Sequence, residues 1–128
     1  MATVNPTTNT QSELPGSQDG SVMRVTWALT SSNPDGAPIP FAEYSDRTVV
    51  VSGTWGGATL ELQGSNELTP TTFVQLNSAA GSAATATTNK AIQVLEVPLY
   101  FRPNLTVVGA GASITVTLIA RRATPMRT

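Results

Sequence analysis

The chain contains no cysteine and no histidine. Without thiols there is no disulfide to hold the fold and no thiolate to bind a metal. Without imidazole the commonest general base and the commonest metal ligand are missing, and a Ser-His-Asp triad cannot form. If such a protein works outside a cell, it must be stabilised by packing or assembly rather than by cross-links. Charge is also thin. Seven basic and eight acidic residues leave a formal net charge of −1, so no overall field draws nucleic acid or an anionic membrane to the chain. No apolar run reaches transmembrane length, and the N-terminus lacks the charged-then-apolar order of a secretory signal. The expectation is synthesis in the cytoplasm without export by the usual route.

Thr, Ser, Ala, Val and Gly dominate what remains. A length of 128 residues fits one domain that buries about two-thirds of its unfolded surface. Residues 1–20, MATVNPTTNTQSELPGSQDG, carry too little apolar surface to offset their ordering entropy. They read as a floppy tail in the isolated monomer, or as an extended polar arm that becomes ordered along a neighbouring subunit in the assembled state. A β-sandwich domain is expected over residues 21–122, with a C-terminal tail at 123–128.

The stretch Arg47–Ser65, RTVVVSGTWGGATLELQGS, organises that domain. Thr48–Thr54 is rich in β-branched residues, and Ala58–Gln63 alternates with Ala58, Leu60 and Leu62 on one face. A period of two marks a half-buried strand. Trp55-Gly56-Gly57 between them predicts a tight hairpin turn, and the run Val49-Val50-Val51 predicts a strand covered on both faces. Ser21–Thr30 alternates likewise, placing Trp27 in the core beside Met23, Val25 and Leu29. Ser31–Gly36 is a turn cluster, and the two prolines of Pro38–Tyr44 predict an edge or crossing segment. Thr71–Asn77 offers Phe73 or Val74, with Leu76, to the core, and Ser78–Asn89 reads as a long exposed loop. Ala91–Val97 and Leu99–Val108 follow as strands, Pro103 marking an edge or bulge. Ser113–Ala120 presents Ile114, Val116 and Leu118 inward. About eight strands at short, even spacing with no helix predict an all-β, antiparallel sandwich or jelly roll with an extended N-terminal arm.

Chemistry-bearing patterns are few. The carboxylates are scattered; spacing leaves a Glu43–Glu61 glycosidase pair conceivable, but exposed strand carboxylates are common and catalysis needs a tuned acid–base pair. Asn33, Asp35 and Glu43 do not spell an ordered calcium loop, and Gly53-x-x-Gly56-Gly57 lacks the helix and Lys-Ser/Thr of a phosphate loop. Asn104-Leu105-Thr106 spells a glycosylation sequon with no secretory signal to make it meaningful. The expectation is therefore no catalytic residue, no metal, no cofactor and no small-molecule substrate. Asp46 beside Arg47, just before a buried strand, reads either as a structural corner, with Arg102 the candidate partner of Asp46, or as a pair of solvated charges that contributes little.

The runs FAEYSDRTVVVSGTWGGATLELQGSNE and LYFRPNLTVVGAGASITVTLIARR resemble small structural proteins of tailed bacteriophages. There a Tyr-x-Asp-Arg-Thr-Val segment and a Gly-Thr-Trp-Gly-Gly-Ala-Thr turn precede a Tyr-x-Arg-Pro strand and a final Thr/Val strand. The resemblance spans roughly Phe41 to Arg122. One departure is Glu67-Leu68 where such chains commonly turn through Asp-Gly. The resemblance implies a head decoration (cement) protein of jelly-roll type on the outer surface of the capsid, made in the host cytoplasm. Its implied partners are the major capsid protein and further copies of itself, as a dimer or trimer, with no nucleic acid and no membrane. Trp55, Tyr44, Arg121 and Arg122 are the candidate interface residues. A tail or neck structural protein is the alternative. A carbohydrate-binding module with Trp55 and Tyr44 stacking on sugar is a further one, weakened by a total of two Trp, two Tyr and three Phe.

Overall fold

Alternating side chains build two facing sheets, as the computed structural model shows for residues 3–4, 7–9, 22–40, 42, 44 and 46–121. The strands are β1 (Thr3–Val4), β2 (Thr7–Asn9), β3 (Val22–Thr30), β4 (Asp35–Gly36), β5 (Asp46–Thr54), β6 (Thr59–Ser65), β7 (Val74–Gln75), β8 (Thr85–Ala86), β9 (Lys90–Val94), β10 (Tyr100–Val107) and β11 (Ser113–Arg121). One sheet runs β1-β4-β10-β6-β7, with β8 also on β6; the other runs β2-β3-β11-β5-β9. All pairs are antiparallel except β1 with β4. The fold is an all-β sandwich.

Inward positions form one core. Val25, Trp27 and Leu29 of β3, Val49 and Val51 of β5, Leu60 and Leu62 of β6, and Ile114, Val116 and Leu118 of β11 are all buried. The Trp27 ring lies 6.1 Å from that of Phe101 across the sandwich, and its indole N–H is satisfied by the Ala37 carbonyl at 3.0 Å. Strand β11 pairs along its whole length with β3 on one side and β5 on the other. Its β-branched alternation suits that central place.

The expected hairpin at Arg47–Ser65 is an arch. β5 and β6 do not pair; they lie in opposite sheets, and Trp55-Gly56-Gly57 carries the chain between layers. The same holds for β9 to β10 and β10 to β11, so consecutive long strands are never hydrogen-bonded partners. A glycine-rich reversal serves hairpin and arch alike; the partner is chosen by which long strands complete each sheet. Nor is β5 covered on both faces. Val49 and Val51 are buried, whereas Val50 is 48% exposed.

Other expectations shift for local reasons. Pro103 sits mid-sheet opposite Leu62, not at an edge. On its free side Phe101 N–H and Leu105 N–H donate to Ile39 and Pro34 carbonyls. The proline between them has no N–H to satisfy, and its ring fills the space at Gly36, where a Cβ would come within 2.7 Å. The bulge falls beyond it, between Leu105 and Val107. Strand β9 stops at Val94, leaving Leu95 and Val97 exposed. The 78–89 segment is not wholly an exposed loop, because β8 returns to β6 and buries Ala84 and Ala86. β4 and β5, on either side of Pro38–Tyr44, lie in opposite sheets, as expected of a crossing segment, and Ile39 within it bridges Phe101.

Parts of the region read as an external arm belong to the sheets. β1 pairs with β4, and β2 with β3, so Thr3–Val4 and Thr7–Asn9 each add a short edge strand to one layer. The rest of the arm, residues 1–2, 5–6 and 10–20, lies outside the described residues, as do Ser21, Arg122 and the tail at 123–128.

Candidate functional site

The Trp55 arch stands at one end of the sandwich. The Trp55 carbonyl accepts from Ala58 N–H at 2.8 Å, and the Gly56 carbonyl accepts from Ala110 N–H at 3.0 Å. The second bond joins this arch to the β10–β11 turn. Gly56 has φ 56°, and a Cβ there would sit 2.1 Å from the Ala110 oxygen, so only glycine fits. Trp55 is half-buried against the core. Its indole N–H donates to Asn89 Oδ1 at 3.0 Å, and the same oxygen accepts from Gly53 N–H at 3.0 Å. Asn89 thus ties the arch to the start of β9. Sequence reasoning missed it, because an asparagine 34 residues away gives no local sign of that contact.

The remaining candidates separate. Tyr44, read as an interface residue, is 5% exposed and belongs to the core. Its carbonyl accepts from Arg47 Nε at 2.7 Å. Arg47 is itself fully buried, with its guanidinium 5.6 Å from the Phe101 ring centre. Burial pushes its pKa down to about 10. Reading Asp46 and Arg47 together as a corner pair passed over Arg47 as the interior charge, although the alternation of its own strand carries the signal. Alternation settles it: Arg47 shares its face with Val49 and Val51.

Asp46 does not meet Arg102, because each faces outward from its own sheet, on opposite sides of the sandwich. Asp46 pairs with Arg121 at 3.1 Å, both side chains substantially exposed. Such a pair contributes little. Arg102 donates to Gln63 Oε1 at 2.9 Å and stacks 3.8 Å above the Phe73 ring. Phe73 therefore covers the outer face of its sheet, while Leu76 alone of the expected trio is buried. Burial lowers the Arg102 pKa, and Asp35 opposes that shift. Arg122 lies outside the described residues, as does Glu43, so neither the Glu43–Glu61 pair nor the Asn33–Asp35–Glu43 set is described. Glu61 accepts from Gln63 Nε2 at 2.8 Å. Among the described residues no three His, Cys, Asp or Glu side chains cluster.

A groove of about 740 Å³ opens along the seam between β7 and the segment after β9. Glu67, Val74, Leu76, Glu96, Val97 and Pro98 line it. Val74 is 65% exposed and Val97 40%. Glu67, at the position where the chain departs from the phage-like pattern, organises one wall. Its Oε1 accepts from Thr71 N–H and Thr72 N–H, each at 2.8 Å, while Ser65 Oγ accepts from Glu67 N–H at 3.2 Å. The bonds from Thr72 and Thr71 hold its pKa below the ordinary value. Across the groove, Glu96 accepts from Asn77 N–H at 2.6 Å and so joins the two sheets.

No protein-family profile matches the chain, and no curated protein matches it in sequence. Among solved structures, the SPBc2 prophage-derived protein YomS is similar, with a TM-score of 0.57 and 16% identity, covering 94% of this chain and 96% of that one. At this identity the likeness is one of fold.

Proposed function

We propose that the protein is a structural virion protein of a tailed bacteriophage. Specifically, it is a decoration (cement) protein that binds the outer surface of an assembled head and stabilises it through many repeated non-covalent contacts. The observation that carries this reading is the sandwich shared over nearly the full length of both chains with a prophage-derived protein. It agrees with the phage-like sequence pattern, whose residues build β5, β6, β10 and β11.

A cement protein needs a rigid scaffold, flat neutral faces and strand edges. The outer face of the β3-β11-β5 sheet presents Thr48, Val50, Ser52, Thr115 and Ile119, with its charged residues, Arg24, Asp46 and Arg121, gathered toward one end. Contacts of this kind are weak singly and add up through multivalency when copies repeat around a shell. In this reading the partner is the major capsid protein, copies associate as dimers or trimers, and the exposed edge of Trp55 joins the contact. The protein acts without catalysis, cofactor, nucleic acid or membrane, on the outer surface of the virion.

Sedimentation with assembled empty shells and with free capsid subunits tests this. Preferential binding to shells is expected, and equal affinity for both overturns the cement role. Electron microscopy of native particles must place the protein on the head; density at the tail or neck replaces this reading with a tail or neck structural role. Neither Tyr44, which is buried, nor half-buried Trp55 forms an open platform for sugar.

A further inference from the structure

The two seams of the sandwich end differently. At one, β1 and β2 each add an edge strand to a layer. At the other, β7 is the last strand of its sheet, and beside it opens the groove lined by Val74, Leu76, Val97 and Pro98. We propose that this groove binds an extended segment of a partner protein, which adds a strand to β7 and carries two basic side chains flanking an apolar one. The inference is independent of the virion reading, and its test needs no capsid.

Three observations converge. The first is a free strand edge. Leu76 N–H donates to the Leu62 carbonyl, and the register sets Gln75 opposite Gln63. Bonded and non-bonded pairs alternate along antiparallel strands, so the Gln75 N–H and carbonyl point away from β6. No described residue bonds to them there. An incoming strand finds in them the donor and the acceptor it needs. The second is an apolar mouth. Val74, opposite Gly64, is 65% exposed, and Val97 on the far wall is 40% exposed. Alternation along an added strand directs every second side chain to one face, so one apolar residue covers both valines. The third is charge. Glu67 accepts from Thr71 and Thr72 N–H just before β7, and Glu96 accepts from Asn77 N–H just after it. The two carboxylates bracket β7, and Thr72 to Asn77 spans about 16 Å of extended chain. Neither glutamate pairs with a described Lys or Arg. Basic residues at i and i+4, with the apolar one at i+2, share one face of a strand and reach both ends of that bracket.

The probe is the capped peptide Thr-Lys-Thr-Val-Thr-Lys-Thr, titrated into the isotope-labelled full chain while backbone amide resonances are followed. Shifts are expected at Val74, Gln75 and Val97, and none at Val50, exposed on the outer face of β5. A peptide with glutamate in place of each lysine should bind about tenfold more weakly or worse. Glu67→Gln with Glu96→Gln should weaken binding of the lysine peptide about fivefold, the scale of two exposed ion pairs. Glutamine keeps an acceptor oxygen for the Thr71, Thr72 and Asn77 donors and removes only the charge. Gln75→Pro deletes the edge donor without breaking a bond to β6 and should abolish binding. Val97→Lys, which sets a like charge in the mouth and leaves the core intact, should weaken it about tenfold. Absence of shifts at Gln75, equal binding of the two peptides, or binding indifferent to Gln75→Pro would each overturn the proposal. Shifts of the same amides that grow with protein concentration in the absence of peptide would give the groove to a second copy and overturn it as well.

Discussion

Trp27 and Trp55 occupy two regions built on different terms. Trp27 lies on a strand inside a sheet, its ring against Phe101 and its N–H closed by a backbone carbonyl. Trp55 lies on an arch between sheets, half-buried, its N–H held by an asparagine that also takes a backbone donor. The core site is fixed by packing from every side. The arch is fixed by a few hydrogen bonds at its rim. A tryptophan's contribution therefore follows from the density around it, and identical residues can differ several-fold in what their loss costs.

The sharpest way to break this contrast is to truncate both. Trp27→Ala should cost about 3–5 kcal/mol, the loss of apolar contact plus an incompletely collapsed cavity, measured from urea midpoints. Trp55→Ala should cost about 1–2 kcal/mol, with half-burial and a rim hydrogen bond to lose. Equal midpoints for the two variants would make Trp55 a core residue.

Arg47 extends the core side of the comparison. Arg47→Ala should cost about 3 kcal/mol, because it opens a cavity and leaves the buried Tyr44 carbonyl without its donor. Arg47→Met should cost less, about 1–2 kcal/mol, because it fills the volume but still leaves the Tyr44 carbonyl without its donor. Thermal melts of the two variants decide it; if Met is as damaging as Ala, the guanidinium itself is essential.

At the arch, Asn89→Ala should cost about 1 kcal/mol. Combined with Trp55→Ala, the losses should fall short of additive, because the two side chains share one hydrogen bond. A double-mutant cycle measures this. Strict additivity would mean the Asn89 bond contributes nothing to holding Trp55.

The smallest effect concerns Glu67, whose folded pKa is depressed from the ordinary 4.5 by backbone donors. A depressed carboxylate contributes stability that is present above its unfolded pKa and lost as pH falls through its folded one. The difference between native protein and Glu67→Gln should therefore be constant from neutral pH to near 4.5 and shrink below that. Denaturant titrations at several pH values check it, and a gap that widens toward acid would reverse the assignment.

The facing of strand residues was legible because period two is a local property. It placed Trp27 with Val25 and Leu29, and Ile114 with Val116 and Leu118, on the correct side. Corners were legible too, as at Trp55-Gly56-Gly57. The candidate site was far less so. Asn89 and the partners of Asp46 and Arg102 depend on segments distant in sequence, and no local pattern names them.

By itself the sequence determined that the protein is all-β, which residues of most long strands face inward, and that no disulfide holds it. Its tertiary structure alone decided that β5 and β6 part company into opposite sheets and that Tyr44 lies in the core. The physical reason is the same in each case. A strand's two faces are set by its own alternating side chains, whereas its hydrogen-bonded neighbours, and the groups enclosed between two layers, are set by which distant strands complete the sheets. Here β11, the last strand, decides this by pairing along its whole length with both β3 and β5.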